Sequence, residues 1–457
     1  MLKQKPVTAA LLGAGARGEL NLATLAKRHP DQLKLVAVAE PHDGRREHFI
    51  TKFGIPRENA FRDWQELLAK PQLADTVINA LPCRMHYEST LAALRAGYAN
   101  FLEKPMALTP AQSIHLTKTA QQAGLLLMVA LQSRYNDIYT EVRRICDQDK
   151  IGRMMNIDCA ENIGYWHFIL SYVRGIHHRT DMSHSFVLAK GVHDLDLVAW
   201  FAGAPATKVA SFGSLQFFTE ENAPDGAPER CLDGCPVFDT CEFNAYKQFV
   251  DPGAPALPLQ LMKGMSARAL YDYATNPRFR TLAAVIEHDI SRDNVMKNLA
   301  ETTNGKCVFR ADNDVVDHQT VSIEFANGVT ASFTLNGFSL IWERSLNLHG
   351  TKGEIRSADF SGHLETRTYN PARVAKKRIR YHGIIHGGGD EMILLKFADA
   401  VRNNWTDGPL TSAKSALESH LLCFAAEEAR ITGSVIDMTE FRRRAEQQAA
   451  TLAQSTL

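Results

Sequence analysis

The stretch Leu11-Leu-Gly-Ala-Gly-Ala-Arg-Gly18 restricts this chain more than any other, because an apolar run passes straight into Gly13, Gly15 and Gly18 and then into a helix-compatible segment. Gly13 permits a tight turn, Gly15 lets backbone N–H groups approach a phosphate with no Cβ between them, and Gly18 lets the following helix pack closely on the strand. The helix would begin at Ala16 and Arg17, and its N-terminus presents unpaired N–H groups and partial positive charge to an anion. Glycine spacing alone is weak evidence, since glycine-rich turns are common, so the flanks decide. Lys34 to Glu40 reads as a second buried strand, and it ends in an acid about twenty positions after the last glycine, where a ribose-binding carboxylate belongs. Strand, glycines, helix, strand and acid in that order predict a dinucleotide site. Glu40 favours NAD over NADP, because a carboxylate there accepts from ribose hydroxyls and repels a 2′-phosphate, while Arg45 and Arg46 weigh modestly the other way.

At 457 residues the chain exceeds one ordinary core, so two or three domains are expected. Lys+Arg and Asp+Glu both number 51 with no long run of one sign, which argues against a nucleic-acid partner or an anionic membrane surface. Two lysines ahead of an apolar run give Met1 to Leu12 the look of a signal peptide, but that run is the first strand, and no 18-residue apolar segment follows to span a membrane. Eight cysteines in a chain of this length do not suggest a disulfide framework, so a cytoplasmic setting is expected.

Apolar runs at Ala9 to Leu12, Leu35 to Ala39, Thr76 to Ala80, Ala99 to Leu102 and Leu125 to Val129 alternate with amphipathic stretches such as Tyr87 to Ala96 and Pro110 to Gln122. That rhythm predicts an α/β domain over residues 1–133, a Rossmann doubly wound parallel sheet, with ligands at the carboxyl ends of its strands. Two such ends, Asn79 to His86 with Leu81 inside it, and Phe101 to Pro105 with Glu103 and Lys104, would border the cofactor. From residue 134 to 388 the segments lengthen: a helix at Tyr139 to Asp147, then strands at Met154 to Ala160, Lys208 to Phe217, Val321 to Phe325, Val329 to Asn336 and Ser345 to His349. Few helices lie between these strands, so an α+β domain with a large open, mostly antiparallel sheet is expected, with Asn327-Gly328 as a hairpin turn. Residues 218–300, rich in Pro, Gly and charge, read as an insertion too polar to build its own core. Residues 389–457 return to helical periodicity at Asp390 to Arg402, Ser412 to Ile431 and Thr439 to Leu452, expected to pack back on the two domains.

The order GAGARG, AEP, ADTVINALPCRMHYESTLAALRAG, FLEKP and GVHDLD, followed by FANGVTASFTLNG and LHGTKGEI, resembles the Gfo/Idh/MocA family of NAD(P)-dependent oxidoreductases over nearly the whole chain apart from the insertion. The resemblance implies a Rossmann domain followed by an open-faced sheet domain, with a small-molecule carbohydrate substrate over the nicotinamide. It also implies that Lys104 and His193 are active-site groups, that Lys104-Pro105 is cis, and that the chain forms a homo-oligomer through the sheet. Many members carry an aspartate four residues before the histidine, whereas this chain has Ala189 there, followed by Lys190.

The chemistry of these residues agrees with that expectation. Oxidising a sugar hydroxyl removes a proton as the carbon loses hydride, and histidine is the natural base near neutrality, which makes His193 the candidate. Lys104 at a strand end would steady the oxygen, and Lys190 would take over part of the missing aspartate's role by binding an anionic or hydroxyl-rich substrate. Asp196, three residues past His193, would position substrate or stabilise the helix, and its neighbour Asp194 suits the helix N-terminus. Tyr165, His167, Tyr172, Arg174, His177 and Arg179 lie in one aromatic and basic segment, suited to a sugar's apolar face and to an acidic group. His386 before three glycines is a further substrate contact.

Cys231, Cys235 and Cys241 fall close together in the insertion and leave three readings open: a structural Zn²⁺ completed by Cys307 or a histidine, reduced thiols, or a disulfide. Asp312 to His318 lacks the glycine and glutamate of a calcium loop, so a substrate-side or structural loop is expected. For the whole chain the leading expectation is an NAD-dependent dehydrogenase acting on a ring hydroxyl of a sugar, sugar acid or cyclitol. The alternatives are an NAD-dependent glycosidase working by transient C3 oxidation and β-elimination, and a non-catalytic nucleotide sensor.

Overall fold

The computed structural model describes residues 5–181, 183–250, 292–381, 385–408 and 411–455. Two compact units are present, one of Met1–Asn136, Gly388–Phe424 and Thr439–Leu457, the other of Asp137–Gly387 and Ala425–Met438.

The first unit is built on strands β1 (Val7–Leu12), β2 (Leu33–Ala39), β3 (Ala60–Phe61), β4 (Thr76–Asn79), β5 (Ala99–Leu102) and β6 (Leu127–Val129). They form one parallel sheet in the order β3-β2-β1-β4-β5-β6, the doubly wound arrangement expected from the strand and helix rhythm. β3 is the one strand of this sheet with no counterpart in the sequence reading, because two residues carry no periodicity. Helix α1 runs through Ala16–Ala23 and Thr24–Arg28, followed by α2 (Asp43–Phe53), α3 (Trp64–Leu68), α4 (His86–Arg95) and α5 (Pro110–Ala123). Their limits follow from the residues at their ends: Asp63 and Thr109 accept bonds from Glu66 N and Gln112 N as N-caps, Pro110 opens α5, and Gly54 and Gly124 close α2 and α5 at positive φ.

Helices flank both faces of the sheet. On one face Leu12, Trp64, Leu67, Val77 and Tyr98 cluster; on the other Leu11, Leu22, Phe49 and Phe101 pack with Ile393, Leu394 and Phe397. The last three belong to the helix Gly389–Arg402, so this core is completed by residues almost three hundred positions downstream, with Phe101 and Phe397 meeting edge to face at 5.3 Å.

The second unit holds α6 (Asp137–Asp147), β7 (Met154–Gly164), α7 through Tyr165–Phe168 and Ile169–Val173, and α8 through Val187–Gly191 and Val192–Ala202. Eight more strands follow: β8 (Ala206–Ser214), β9 (His318–Phe325), β10 (Thr330–Ser339), β11 (Glu343–Gly350), β12 (Gly353–Ala358), β13 (His363–Tyr369), β14 (Ala372–Arg378) and β15 (Ile436–Asp437). The nine-stranded sheet runs β14-β13-β12-β11-β7-β10-β9-β8-β15, antiparallel except where β7 meets β10. Along β9 and β10, Val321, Ile323, Phe325, Ala331, Phe333 and Leu335 are buried while the residues between them face outward, the period of two that buries one face. α8 lies on that face, and a Cβ at Gly191 would come within 2.9 Å of Phe333, which is why glycine stands there. The hairpin at Phe325 to Gly328 forms as expected, with Gly328 at φ +82°.

Cys231, Ala245, Phe249, Val295 and Leu299 of the insertion form a small apolar core with Leu170 of α7, correcting the expectation that the insertion was too polar to have one. The rest of that insertion, 251–291, lies outside the described residues. No described helix is long and apolar enough to cross a membrane.

Candidate active site

The nucleotide end of the first unit begins with β1, whose last residue leads into Gly13 at φ +87°. A Cβ on Gly13 would approach Ala80 O to 2.8 Å, and one on Gly18 would approach Gly13 O to 1.9 Å, so both glycines are required for the turn to close on its own strands. Gly15 differs: a Cβ there meets no atom within 4 Å. The space above this turn is open, as a pyrophosphate resting on backbone N–H groups requires. Glu40, at the end of β2 and buried, accepts from Ala14 N at 2.9 Å and from His42 N at 3.1 Å, so the acid is tied to the glycine turn itself. These residues fit a dinucleotide whose pyrophosphate lies over Gly15 and whose ribose reaches Glu40. Arg46 donates to the backbone oxygens of Glu40 and Pro41 and pairs with Asp43, so its guanidinium is committed to the strand end.

Arg17 and His86 have tasks other than the direct cofactor contact expected of them. Arg17 Nε lies 2.6 Å from Glu103 Oε1 and its Nη2 bonds Asp390, so Glu103 is engaged with Arg17 as well. Burial opposes the guanidinium charge most strongly, yet Asp390 and Glu103 together raise its pKa above the usual arginine value. His86 is buried with Nδ1 2.7 Å from Pro105 O and Nε2 2.8 Å from Leu81 O, so it braces the loops after β4 and β5 against each other. Burial lowers its pKa.

Lys104-Pro105 is cis, as the resemblance implied, and Lys104 is half-buried at the end of β5. His420, which no motif singled out, holds Met106 just beyond that bond: its Nε2 accepts from Met106 N at 3.0 Å while Nδ1 donates to Ala416 O at 2.8 Å. Burial pushes its pKa down to about 4, with the Lys104 charge adding to the effect, and the neutral ring is the form with a lone pair to offer Met106.

In the second unit His193 and Asp196 are both buried on α8, one turn apart. The ring of His386 lies 5.7 Å from that of His193, and His386 adopts φ +48°, a left-handed conformation uncommon for a residue with a side chain. Lys190 lies 3.4 Å from Glu161 Oε1, with its ammonium 3.8 Å from the centroid of the Trp342 ring. Ala189 is buried, with no acid beside it in sequence to serve as a relay.

Around Lys190 lies a buried ionic group that the sequence concealed. Arg344 reaches Glu161 Oε2 at 2.8 Å and Asp359 at 3.3 Å, and it also pairs with Asp194. Asp194 is thus an ion-pair partner of Arg344 rather than simply a helix N-terminal acid. Burial pushes Asp194 up to about 7 and Asp359 up to about 6, against the opposing pull of Arg344. Burial acts on Glu161 in the same sense, but Arg344 and Lys190 together bring its pKa below the usual carboxylate value.

The aromatic segment divides by burial. His167 stacks on Trp342 at 4.8 Å and 14°, and half-buried Tyr165 meets Phe243 edge to face at 6.4 Å. Tyr172 is buried against Phe168, Phe186 and the ring of His177, whose Nδ1 lies 2.6 Å from Ser183 Oγ. Arg174 and Arg179, expected to hold an acidic substrate, have structural partners. Arg174 is wholly buried, donating to Lys306 O at 2.7 Å, Phe243 O at 2.9 Å and Gln248 Oε1 at 3.0 Å, and it clamps the insertion. Arg179 pairs with Asp181 at 3.0 Å and Asp312 at 3.2 Å, which makes the loop beginning at Asp312 a structural partner.

Cys231, Cys235, Cys241 and Cys307 line one cavity together with Arg174, whose Nη2 lies 3.5 Å from Cys231 Sγ. Among the described residues no three His, Cys, Asp or Glu side chains converge to hold a metal ion, so the described residues form no zinc site. A guanidinium stands among the thiols instead, and burial raises the pKa of Cys241 and Cys307, disfavouring the thiolates that zinc needs. All eight cysteines are unbridged.

Residues 7–131 match the model of the Gfo/Idh/MocA oxidoreductase family with its NAD-binding Rossmann fold. YteT of Bacillus subtilis (strain 168) is 22% identical over 355 residues, covering 74% of each chain. The scyllo-inositol 2-dehydrogenase (NAD(+)) of the same organism is 28% identical over 211 residues, which are 46% of this chain and 58% of that protein. The fold is similar to that of levoglucosan dehydrogenase, solved with NADH and levoglucosan, with a TM-score of 0.67 at 16% identity over 95% of this chain and 100% of that one. Residues 7–131, which carry the glycine turn, Glu40 and the parallel sheet, are thus similar to the NAD-binding Rossmann domain of the Gfo/Idh/MocA oxidoreductases.

Proposed function

We propose that this protein is an NAD-dependent dehydrogenase acting on a ring hydroxyl of a sugar, sugar acid or cyclitol. The observation that carries the reading is the open space over Gly15 with Glu40 bonded to the same turn, in a chain whose nucleotide fold is that of an oxidoreductase family. The similarity to an inositol dehydrogenase supports the carbohydrate half of the proposal.

When bound, NAD supplies the hydride acceptor. Glu40 accepts from the ribose hydroxyls, and the N–H groups around Gly15 receive the pyrophosphate. In the second unit His193 is the base that takes a hydroxyl proton, and in the first unit Lys104 is the cation suited to an oxygen on which negative charge develops. The part of the oxidation that falls to this chain's own residues is the proton, which passes from the hydroxyl to the imidazole. Lys190 offers its ammonium to a neighbouring hydroxyl or acidic group, and His386 lies beside the base.

The test is a nucleotide titration followed by turnover across cyclitols, aldoses, sugar acids and chromogenic glycosides. NAD should bind more tightly than NADP, and NADH should accumulate with at least one polyol. Aglycone release without net NADH would replace this reading with the redox glycosidase, and tight nucleotide binding with neither product would leave a sensor.

A further inference from the structure

We propose that Glu161 and Trp342 form a cage that fixes the charge and aim of the Lys190 ammonium, which makes Trp342 a positioning residue of the site. Only the use of that ammonium on a substrate rests on the dehydrogenase reading; the cage itself does not.

The Lys190 side chain is 8% exposed, and an ammonium taken out of water is costly unless it is paired. Two partners meet it at once, Glu161 Oε1 at 3.4 Å and the Trp342 ring at 3.8 Å from its centroid. They are joined to each other, because Trp342 Nε1 donates to the same Glu161 oxygen at 2.8 Å. The indole is therefore held at its edge by the carboxylate while its face attracts the cation, an attraction that grows as water is excluded. Glu161 is held in turn: Arg344 occupies its Oε2 at 2.8 Å and is itself shared with Asp194 and Asp359. The carboxylate of β7 is consequently anchored from β11 and cannot swing away from Lys190. The phenol of Tyr139 on α6 and the thiol of Cys159 on β7 also act on Arg344 electrostatically.

The ring has a further contact. His167 stacks on Trp342 at 4.8 Å, so His167 and Lys190 are coupled through one indole. A cation held in this way acts as a fixed hydrogen-bond donor to an electron-rich oxygen, such as a carboxylate or a vicinal hydroxyl, and not as a proton-accepting amine.

The test is pulse acetylation of lysines in the full-length protein over a pH series, read peptide by peptide in a mass spectrometer, for wild type, Trp342→Phe and Trp342→Ala. Exposed Lys70 serves as the reference in the same samples. The phenylalanine variant keeps a ring but loses the N–H to Glu161, and the alanine variant loses both. The pH at which Lys190 becomes reactive should fall in the order wild type, Phe, Ala, by about one pH unit for Ala, a tenfold change in the proton equilibrium. Glu161→Gln should lower it further; if that variant fails to fold, the two Trp342 variants decide alone. A labelling rate that rises equally at every pH, with the midpoint unmoved in Trp342→Ala, would mean that the indole only blocked access, and the cage would be rejected. Turnover is followed on the same samples. A shifted midpoint in a protein that oxidises no carbohydrate would uphold the cage and reject the dehydrogenase reading, whereas turnover with an unshifted midpoint would do the reverse.

Discussion

Gly15 and Gly18 stand three residues apart in one turn, and substitution should separate their tasks. A Cβ at Gly15 meets no neighbour within 4 Å, so Gly15→Val should leave the melting temperature close to wild type while weakening NAD binding at least tenfold in a fluorescence titration. Gly18→Ala drives a Cβ to 1.9 Å from a backbone oxygen and should cost roughly 1–3 kcal/mol or more in chemical denaturation, with nucleotide bound or not. The buried ionic group gives a second contrast. Arg344→Met would strand Glu161, Asp194 and Asp359 without their shared cation and should destabilise by about 3–5 kcal/mol. The raised pKa of Asp194 means that the folded protein holds a proton which the unfolded chain releases above about pH 4. Its contribution is therefore fully present below the unfolded value and is lost as pH rises toward about 7. Asp194→Asn, which cannot titrate, should gain stability relative to wild type between pH 4 and pH 7, measured by thermal melts in matched buffers. Single residues were the least legible level of the sequence. Arg17 stood with the glycines at the cofactor end of the helix, but its partner Asp390 lies 373 positions away. Arg174 looked like a substrate clamp, but it bonds a carbonyl 132 positions away. A long cationic side chain takes its task from whichever acceptor the fold brings to it, and local spacing carries no record of that.

Elements were read more fully where periodicity was strong. The parallel strands of the first unit are near-continuous apolar runs, and β9 and β10 alternate cleanly, so both sheets could be read in outline. β13 and β14 escaped, because β14 is exposed along its whole length and reads Ala-Arg-Val-Ala-Lys-Lys-Arg. An edge strand dressed in lysine and arginine resists pairing with other chains, and the same charges erase the apolar signature of a strand. The loop carrying Lys104 shows how one element serves another. His420, on the helix Ala413–Thr432, supplies the acceptor for Met106 N, and His420→Ala would leave a buried N–H without it. That variant should lose about 1–3 kcal/mol of stability, and kcat should fall while NAD affinity holds, since the disturbance sits beside Lys104 and away from the glycine turn.

The two units are interwoven along the chain: the first resumes at Gly388 after eight of the nine strands of the second have been traversed, and the second takes back Ala425–Met438, whose Ile436–Asp437 add the ninth as an edge strand. A fragment ending at residue 136 would keep every strand of the parallel sheet but lack Ile393, Leu394 and Phe397, each contributing roughly 1.5–3 kcal/mol of burial. It should bind a hydrophobic dye and aggregate, and light scattering would show this beside the intact protein. The same interweaving has a consequence for biosynthesis. At roughly 5–20 residues per second, a ribosome spends some ten to fifty seconds on the intervening stretch before the covering helix emerges. For that interval the nascent nucleotide half carries an apolar flank with nothing to shield it, and it is then that a holdase chaperone would find its client.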